Sequence, residues 1–153
     1  MPDIEVNTHV DALPEKVWAL VGDLGRMGEW SPECTGVTWK HGAAGPAIGA
    51  RFKGHNKKGW RRWSTDGTIA VYEPGRALAF DVTAARLPIA RWGYRVEADG
   101  GGSLLTETFE DHRGGAGRAL GRAARGVDDV TAHNRDGMER TLARIKAVAE
   151  SPG

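Results

Sequence analysis

The feature that most constrains the fold is a series of short alternating segments between residues 37 and 112, followed by one long helical pattern. In these segments apolar and polar side chains alternate, which is typical of strands with one buried face. Turn-forming runs separate the segments, for example EPGR at 73–76 and DGGG at 99–102. Short connections of this kind join antiparallel neighbours, so the sequence predicts an antiparallel sheet.

Seven strands are predicted from the alternation and its interruptions. The first carries Ile4, Val6 and Val10 on one face. Turn chemistry places a hairpin turn at 56–59, and Gly67 inside the next strand predicts a bulge or a bend. In chain order the predicted strands are 4–10, a short strand with Val37 and Trp39 that ends near Lys40, 49–55, 60–72, 77–83, a strand that opens at 87–88, and 104–111.

Two short helices are predicted between the first and second strands. Pro14 suits the first turn of a helix, and the acidic Glu15 suits the positive end of the helix dipole. Three glycines between residues 22 and 28 divide the helical pattern into two pieces, and the second piece ends just before Pro32.

One long helix is predicted near the end of the chain, from Asp128 to Glu150. The segment before it, 114–126, is rich in glycine and arginine and is predicted to be a flexible connection or a weak helix. The apolar stripe of the long helix consists of Val130, Asn134, Met138, Leu142, Ile145 and Val148. Strands followed by such a helix favour an α+β fold, with a single domain over residues 1–153.

Composition excludes several functional classes. Lys and Arg together number 21 and Asp and Glu 20, so a net charge of +1 argues against a nucleic-acid binder, which neutralises phosphates with a basic excess. The single cysteine, Cys34, permits neither an intrachain disulfide nor a cysteine-based zinc site. The first residues lack the pattern of a signal peptide, and no apolar run approaches the ~20 residues of a membrane span. We therefore expect a cytoplasmic protein without membrane insertion.

At this point the residues resemble a known family. The order of the predicted elements, together with PEKVWALVGD at 14–23, MGEWSPE at 27–33 and YEPGRALAF at 72–80, is similar to the SRPBCC superfamily. That superfamily includes START lipid-transfer domains, the birch pollen allergen and bacterial polyketide cyclase/dehydrase-like proteins. The resemblance implies a helix-grip fold, in which a curved antiparallel sheet of about seven strands wraps around the C-terminal helix. It also implies a cavity between sheet and helix for a small hydrophobic molecule. No cofactor is expected.

The candidate cavity walls are aromatic residues, all but Trp30 on predicted strands, and two residues on the inner stripe of the long helix. Aromatic side chains are common in pocket walls because they offer large apolar surfaces and a few donors. The alternative is that they fill an ordinary core. The candidates are Trp30, Phe52, Trp63, Phe80, Trp92, Tyr94, Phe109, Asn134 and Met138.

Three residues are candidates for acid–base chemistry or ligand hydrogen bonding: Glu107, His55 and His133. Glu107 faces the cavity if Leu105 and Phe109 do, and burial there would raise the pKa of its carboxyl. The opposite register, with Glu107 in water, stays open. His55 ends a strand near the predicted mouth of the cavity. No two histidines have metal-ligand spacing, so no metal site is predicted.

Basic residues alternate with tryptophans in the hairpin at 57–63, a pattern that can bind single-stranded nucleic acid, although a solvated hairpin tip is the simpler interpretation. Three functional hypotheses follow. The first is a carrier that binds a lipid, polyketide or aromatic metabolite. The second is a polyketide cyclase or dehydratase that uses a cavity carboxylate or histidine, and the third is an interaction module without a ligand. The sequence leaves open whether the chain forms a homodimer.

Overall fold

All seven strands join one antiparallel sheet, which is curved and open. The computed structural model describes residues 2–32, 34–43, 45–113 and 130–152. Its elements in chain order are β1 (Ile4–Val10), α1 (Pro14–Val21), a 3₁₀ helix (Leu24–Glu29), β2 (Cys34–Trp39), β3 (Arg51–Lys58), β4 (Arg61–Glu73), β5 (Ala77–Ala84), β6 (Leu87–Asp99), β7 (Gly102–Asp111) and α2 (Val130–Glu150).

The strand order is β1-β7-β6-β5-β4-β3-β2. Consecutive strands are therefore neighbours from β2 to β7, and β1 forms the edge of the open sheet beside β7. Ile4 lies opposite Phe109, and Val10 lies opposite Ser103. The α+β class and the helix-grip arrangement expected from the sequence are confirmed.

The two short helices between β1 and β2 are also confirmed, although the second is a 3₁₀ helix. Pro14 occupies the first turn of α1, where its missing N–H costs nothing. Gly28 lies so close to the backbone of Thr35 that a Cβ atom there would overlap the Thr35 carbonyl. The 3₁₀ helix therefore packs directly against β2 because residue 28 has no side chain.

The β3–β4 hairpin is longer than the sequence predicted. Strand β3 continues to Lys58, which pairs with Arg61, and the turn consists only of Gly59 and Trp60. Gly59 has a φ of +62°, the left-handed backbone that a two-residue hairpin turn of this kind takes at its first position. Asn56 was predicted to open the turn, but it pairs with Trp63 within the ladder.

The sequence predicted a bulge or a bend at Gly67, but the irregularity in β4 lies elsewhere. Gly67 pairs in regular register with Phe52, and a Cβ atom at residue 67 would overlap the Phe52 ring. The register shift lies between Ile69 and Val71 instead. Glycine at this position therefore makes room for an inward-facing aromatic ring.

Helix α2 packs against β1, α1 and β7. Its buried apolar residues are Met138, Leu142, Ile145 and Ala149, whereas Val148 is 39% exposed. The predicted stripe was wrong at Val148, because the spacing 138, 142, 145, 149 follows the helical repeat more closely. The predicted segment 114–126, the predicted helix start at Asp128 and the side chain of Val130 lie outside the described residues. Within those residues, no helix combines the length and apolar character that crossing a membrane requires.

Candidate functional site

A pocket of about 650 Å³ lies between the inner face of the sheet and α2. Helix α2 packs against β1 and β7, whereas β3 to β6 lie farther across the sheet. The inner faces of β3 to β6 contribute to the pocket wall. A volume of this size is within the range of small-molecule sites, roughly 300–1,000 Å³.

Aromatic rings line much of the pocket. Phe52 and Phe80 meet edge to face with ring centroids 5.4 Å apart, and Trp92 and Phe109 meet at 4.7 Å in a tilted arrangement. Such geometries hold each ring in place and leave apolar surface for a ligand. Eight of the predicted wall residues line this pocket: Phe52, Trp63, Phe80, Trp92, Tyr94, Phe109, Asn134 and Met138.

Glu107 is the central polar group of the pocket. The register places it directly opposite Tyr94 on β6, and its side chain is buried, with 3% of the residue exposed. The Tyr94 hydroxyl donates a hydrogen bond of 3.0 Å to Glu107 Oε2. Within the part of the chain that the structure describes, Glu107 Oε1 has no hydrogen-bond partner. Of the two registers left open by the sequence, the structure adopts the one that buries Glu107.

Burial raises the pKa of Glu107 to about 8, because the apolar surroundings disfavour the charged carboxylate. The hydrogen bond from Tyr94 lowers it by a smaller amount. Burial also raises the pKa of Tyr94 well above its ordinary value, and the neighbouring Glu107 adds to the effect. Both groups are therefore mainly neutral at pH 7, and the protonated carboxyl can donate a hydrogen bond into the pocket.

Arg113 supplies a second buried donor. Its Nε and Nη2 donate to the two carboxylate oxygens of Asp111 at 3.1 Å each, and its side chain is 7% exposed. The remaining nitrogen, Nη1, is buried at the pocket and has no hydrogen-bond partner among the described residues. A ligand acceptor that reached Nη1 would satisfy an otherwise unpaired buried N–H group.

Cys34 also lines the pocket, but its environment does not favour nucleophilic chemistry. Its Sγ lies 3.6 Å from the carbonyl oxygen of Gly36. Burial raises the pKa of the thiol, so the group stays protonated at neutral pH. The thiolate is the reactive form of cysteine, and Cys34 is therefore a wall residue rather than a nucleophile.

Two predicted residues lie outside the pocket. Trp30 is buried in the core, where Arg26 stacks over its ring at 5.3 Å. His55 points to the opposite side of β3, because Phe52, Gly54 and Asn56 take the inward positions of the strand. Its Nε2 lies 2.8 Å from the hydroxyl of Thr38 on the outer side. His133 lies among the residues that line the pocket.

Sequence reasoning did not identify Arg113, Asn56 and Thr141 as pocket residues. Period two from Phe52 points to Asn56, but the predicted turn at 56–59 had removed it from the strand. Arg113 follows the end of β7, where alternation gives no direction for a side chain. In residues 2–32, 34–43, 45–113 and 130–152, no three His, Cys, Asp or Glu side chains come together as a metal site.

Comparison with known proteins identifies the family. The family described as polyketide cyclase / dehydrase and lipid transport matches residues 1–150. The chain belongs to this family. No curated protein matches the sequence. The resemblance to SRPBCC proteins inferred from the sequence motifs is confirmed.

Solved structures with a similar fold agree with the assignment to the polyketide cyclase/dehydrase and lipid transport family. A polyketide-cyclase-like protein from Corynebacterium glutamicum is 31% identical, with a TM-score of 0.63, and the match covers 96% of this chain and 90% of that one. The major latex-like protein 151 of Panax ginseng is 14% identical, covers 97% of both chains and has a TM-score of 0.68.

A third similar structure is the di-domain ARO/CYC StfQ from the steffimycin biosynthetic pathway. It is 13% identical with a TM-score of 0.71, and the match covers 96% of this chain but 50% of that one. At such low identity, the ginseng protein and StfQ show a shared fold and no more.

Proposed function

We propose that this protein binds a small, mainly apolar molecule in the pocket and orients it through a hydrogen bond from the protonated Glu107. The observation that carries the proposal is the unpaired Oε1 of Glu107, buried in an aromatic-lined pocket. Leaving a buried polar group unpaired costs about 1–3 kcal/mol, and a ligand acceptor at Oε1 would recover that free energy.

The favoured ligand carries a carbonyl or hydroxyl oxygen as an acceptor. A carboxylate ligand fits Glu107 less well, because the two acidic groups would have to share a proton in an apolar site. The hydrogen bond from Tyr94 fixes Oε2, so Oε1 is the atom that faces a ligand. The edge-to-face rings of Phe52 and Phe80 would contact the apolar body of the molecule.

The test is a titration with Nile red, a neutral apolar dye with a carbonyl group, using wild type, Glu107→Gln and Glu107→Leu. The leucine variant removes the donor and should bind the dye about tenfold more weakly or worse, whereas the glutamine variant keeps an N–H donor. Wild-type binding should weaken as the pH rises through about 8, and the glutamine variant should not follow.

Glu110→Gln is the matched control, because Glu110 is on the same strand and bonds His112 instead of lining the pocket. Equal dye binding by the wild type and Glu107→Leu would contradict the role of Glu107. A protein that takes up neither Nile red nor other apolar probes would favour the interaction module without a ligand.

A second candidate function is catalysis by a cyclase or dehydratase of polyketide-like substrates. It is favoured by the pKa of Glu107, about 8, which lies near neutral pH as proton transfer requires. In a dehydration, the protonated Glu107 would donate its proton to the departing hydroxyl, which leaves as water, and the resulting carboxylate would take a proton from the adjacent carbon as the double bond forms. Under this proposal Glu107→Gln binds substrate but loses turnover, which mass spectrometry of the reaction mixture measures. Unchanged turnover in the variant would rule out Glu107 as the acid.

A further inference from the structure

The tip of the β3–β4 hairpin is an aromatic surface with a concentration of positive charge that the binding of an apolar molecule in the pocket does not explain. All residues from 57 to 64, here called the hairpin tip, are exposed. The tip contains four basic residues and no acidic one, although the net charge of the whole chain is only +1. Its basic residues are Lys57, Lys58, Arg61 and Arg62.

The basic residues of the tip oppose one another across the two strands. Lys57 pairs with Arg62, and Lys58 pairs with Arg61. Like charges directly opposite in an antiparallel ladder destabilise it. Two consecutive pairs of this kind concentrate positive charge at one place, and an anionic partner would relieve the repulsion.

The tip also projects beyond the neighbouring strand. Strand β5 ends at Ala84, and its pairing with β4 reaches only to Asp66 opposite Thr83. Residues 61–64 of β4 therefore extend past β5, by about 13 Å at roughly 3.3 Å per residue. A two-stranded ribbon contributes little stability by itself, and a partner that contacts the tip would stabilise this extension.

Two tryptophans accompany the charges. Trp60 is 87% exposed, with the Arg61 guanidinium 5.6 Å from its ring centroid, and Trp63 is 40% exposed. Tryptophan is enriched where one side of a surface is apolar and the other is wet, above all at the headgroup level of bilayers.

The tip lies at the exposed rim of the pocket. Lys58, Trp60 and Arg61 are exposed and also line the pocket, and Asp136 and Arg140 of α2 contribute exposed lining residues. A surface that contacts the tip would therefore face the entrance of the pocket.

We propose that the hairpin tip docks the protein on an anionic phospholipid surface, with Trp60 at the headgroup level. Four basic residues match the negative potential of such a surface, and each strengthens attachment about fivefold. Single-stranded nucleic acid is the less favoured partner, since the chain as a whole has a net charge of only +1, without the basic excess that neutralising a phosphate backbone requires. This docking is peripheral and does not depend on the pocket being filled.

The test is co-sedimentation of the full chain, without added ligand, with vesicles of phosphatidylcholine alone or mixed with phosphatidylglycerol. We expect binding only to the mixed vesicles, weakened by added salt, which screens the charges. Lys57→Glu with Arg62→Glu should weaken binding more than tenfold. This double variant retains a like-charge pair and leaves the pocket lining unchanged, so hairpin stability is matched. Trp60→Ser should weaken binding several-fold.

The controls change the same chemistry away from the tip. Lys16→Glu with Arg76→Glu reverses two exposed charges elsewhere, and Leu13→Ser removes another exposed apolar side chain, which is 63% exposed. Both should bind mixed vesicles like the wild type.

Four outcomes would overturn the proposal: no binding to mixed vesicles, an equal loss in the controls, binding unchanged in the tip variants, or tip-dependent binding of oligo-dT without vesicle binding. Glu107→Leu should lose Nile red but still bind vesicles, so the failure of pocket binding and the failure of docking can be told apart.

Discussion

The burial of Glu107 makes the stability of the protein depend on pH. Its pKa is about 8 in the folded chain against an ordinary value of 4.5. Between these values the folded state keeps a proton that the unfolded state has lost. The free energy of unfolding therefore falls as the pH rises from about 4.5 to about 8, by at most ~1.4 kcal/mol per pH unit from this group.

Glu107→Gln should remove this contribution. The variant should gain stability relative to wild type as the pH rises, by a few kcal/mol in all, and the difference should level off above about pH 8. Urea unfolding of both proteins at about pH 5, 7 and 9 measures it, with Glu110→Gln as a control that should track the wild type. A constant difference at every pH would contradict the buried, protonated carboxyl.

Gly67 supports a second prediction, because the Phe52 ring occupies the space that a side chain would need. Gly67→Ala should destabilise the protein by about 1–3 kcal/mol through overpacking, and it should reduce Nile red binding by moving a pocket wall. Gly36→Ala is the matched control, since nothing lies within 4 Å of its added Cβ. Thermal unfolding compares the two, and equal effects would indicate a general cost of losing a strand glycine.

The residues also show where sequence reasoning stops. Alternation restricted Glu107 to two positions but could not choose between them, because both faces of β7 carry residues that can be buried. Once Tyr94 is known to lie opposite, the choice is clear. That pairing depends on the register between strands, which a single sequence does not encode locally.

Elements were more predictable than residues. Each strand and helix in the described residues was expected from period-two or helical patterns. The errors fell mostly at ends and turns. Gly67 is the exception, since it lies within β4 and pairs there in regular register. Of the others, Asn56 lies inside a strand, and the turn between β5 and β6 carries no turn signal. That turn is Ala85–Arg86, with φ values of 50° and 68° and neither residue a glycine. Backbone conformation there is imposed by the flanking strands rather than by the residues themselves.

Residues that favour positive φ should relieve the strain in this turn. Ala85→Asn with Arg86→Gly introduces the pair that such a two-residue turn prefers and should stabilise the protein by about 1 kcal/mol. Thermal unfolding should then shift upward by about 2–4 °C. Arg76→Gly, at a position outside the left-handed region, should have no stabilising effect. A variant no more stable than wild type would mean that the turn is not strained.

Ligand binding in the pocket should raise the stability of the whole folded chain. A ligand that binds only the folded chain stabilises it by about 2.7 kcal/mol at a free concentration one hundred times its Kd. For a chain of this length the Tm should rise by about 5–10 °C, and the shift should be smaller in Glu107→Leu at the same dye concentration. Scanning calorimetry with and without Nile red measures it. An unchanged Tm despite bound dye would mean that the dye binds the folded and the unfolded chain equally well, which would contradict a site in the folded pocket.

The pairing of β1 with β7 affects how the chain folds during its synthesis. Ile4 is translated about a hundred residues before its neighbour Phe109. At synthesis rates of roughly 5–20 residues per second, β1 waits on the order of 5–20 s outside the ribosome without its partner. Its alternation of apolar with polar residues, including Glu5 and Asn7, keeps half of this waiting strand compatible with water. The sheet is completed only when nearly the whole chain has emerged, so nascent chains of this protein would be the species most in need of a chaperone.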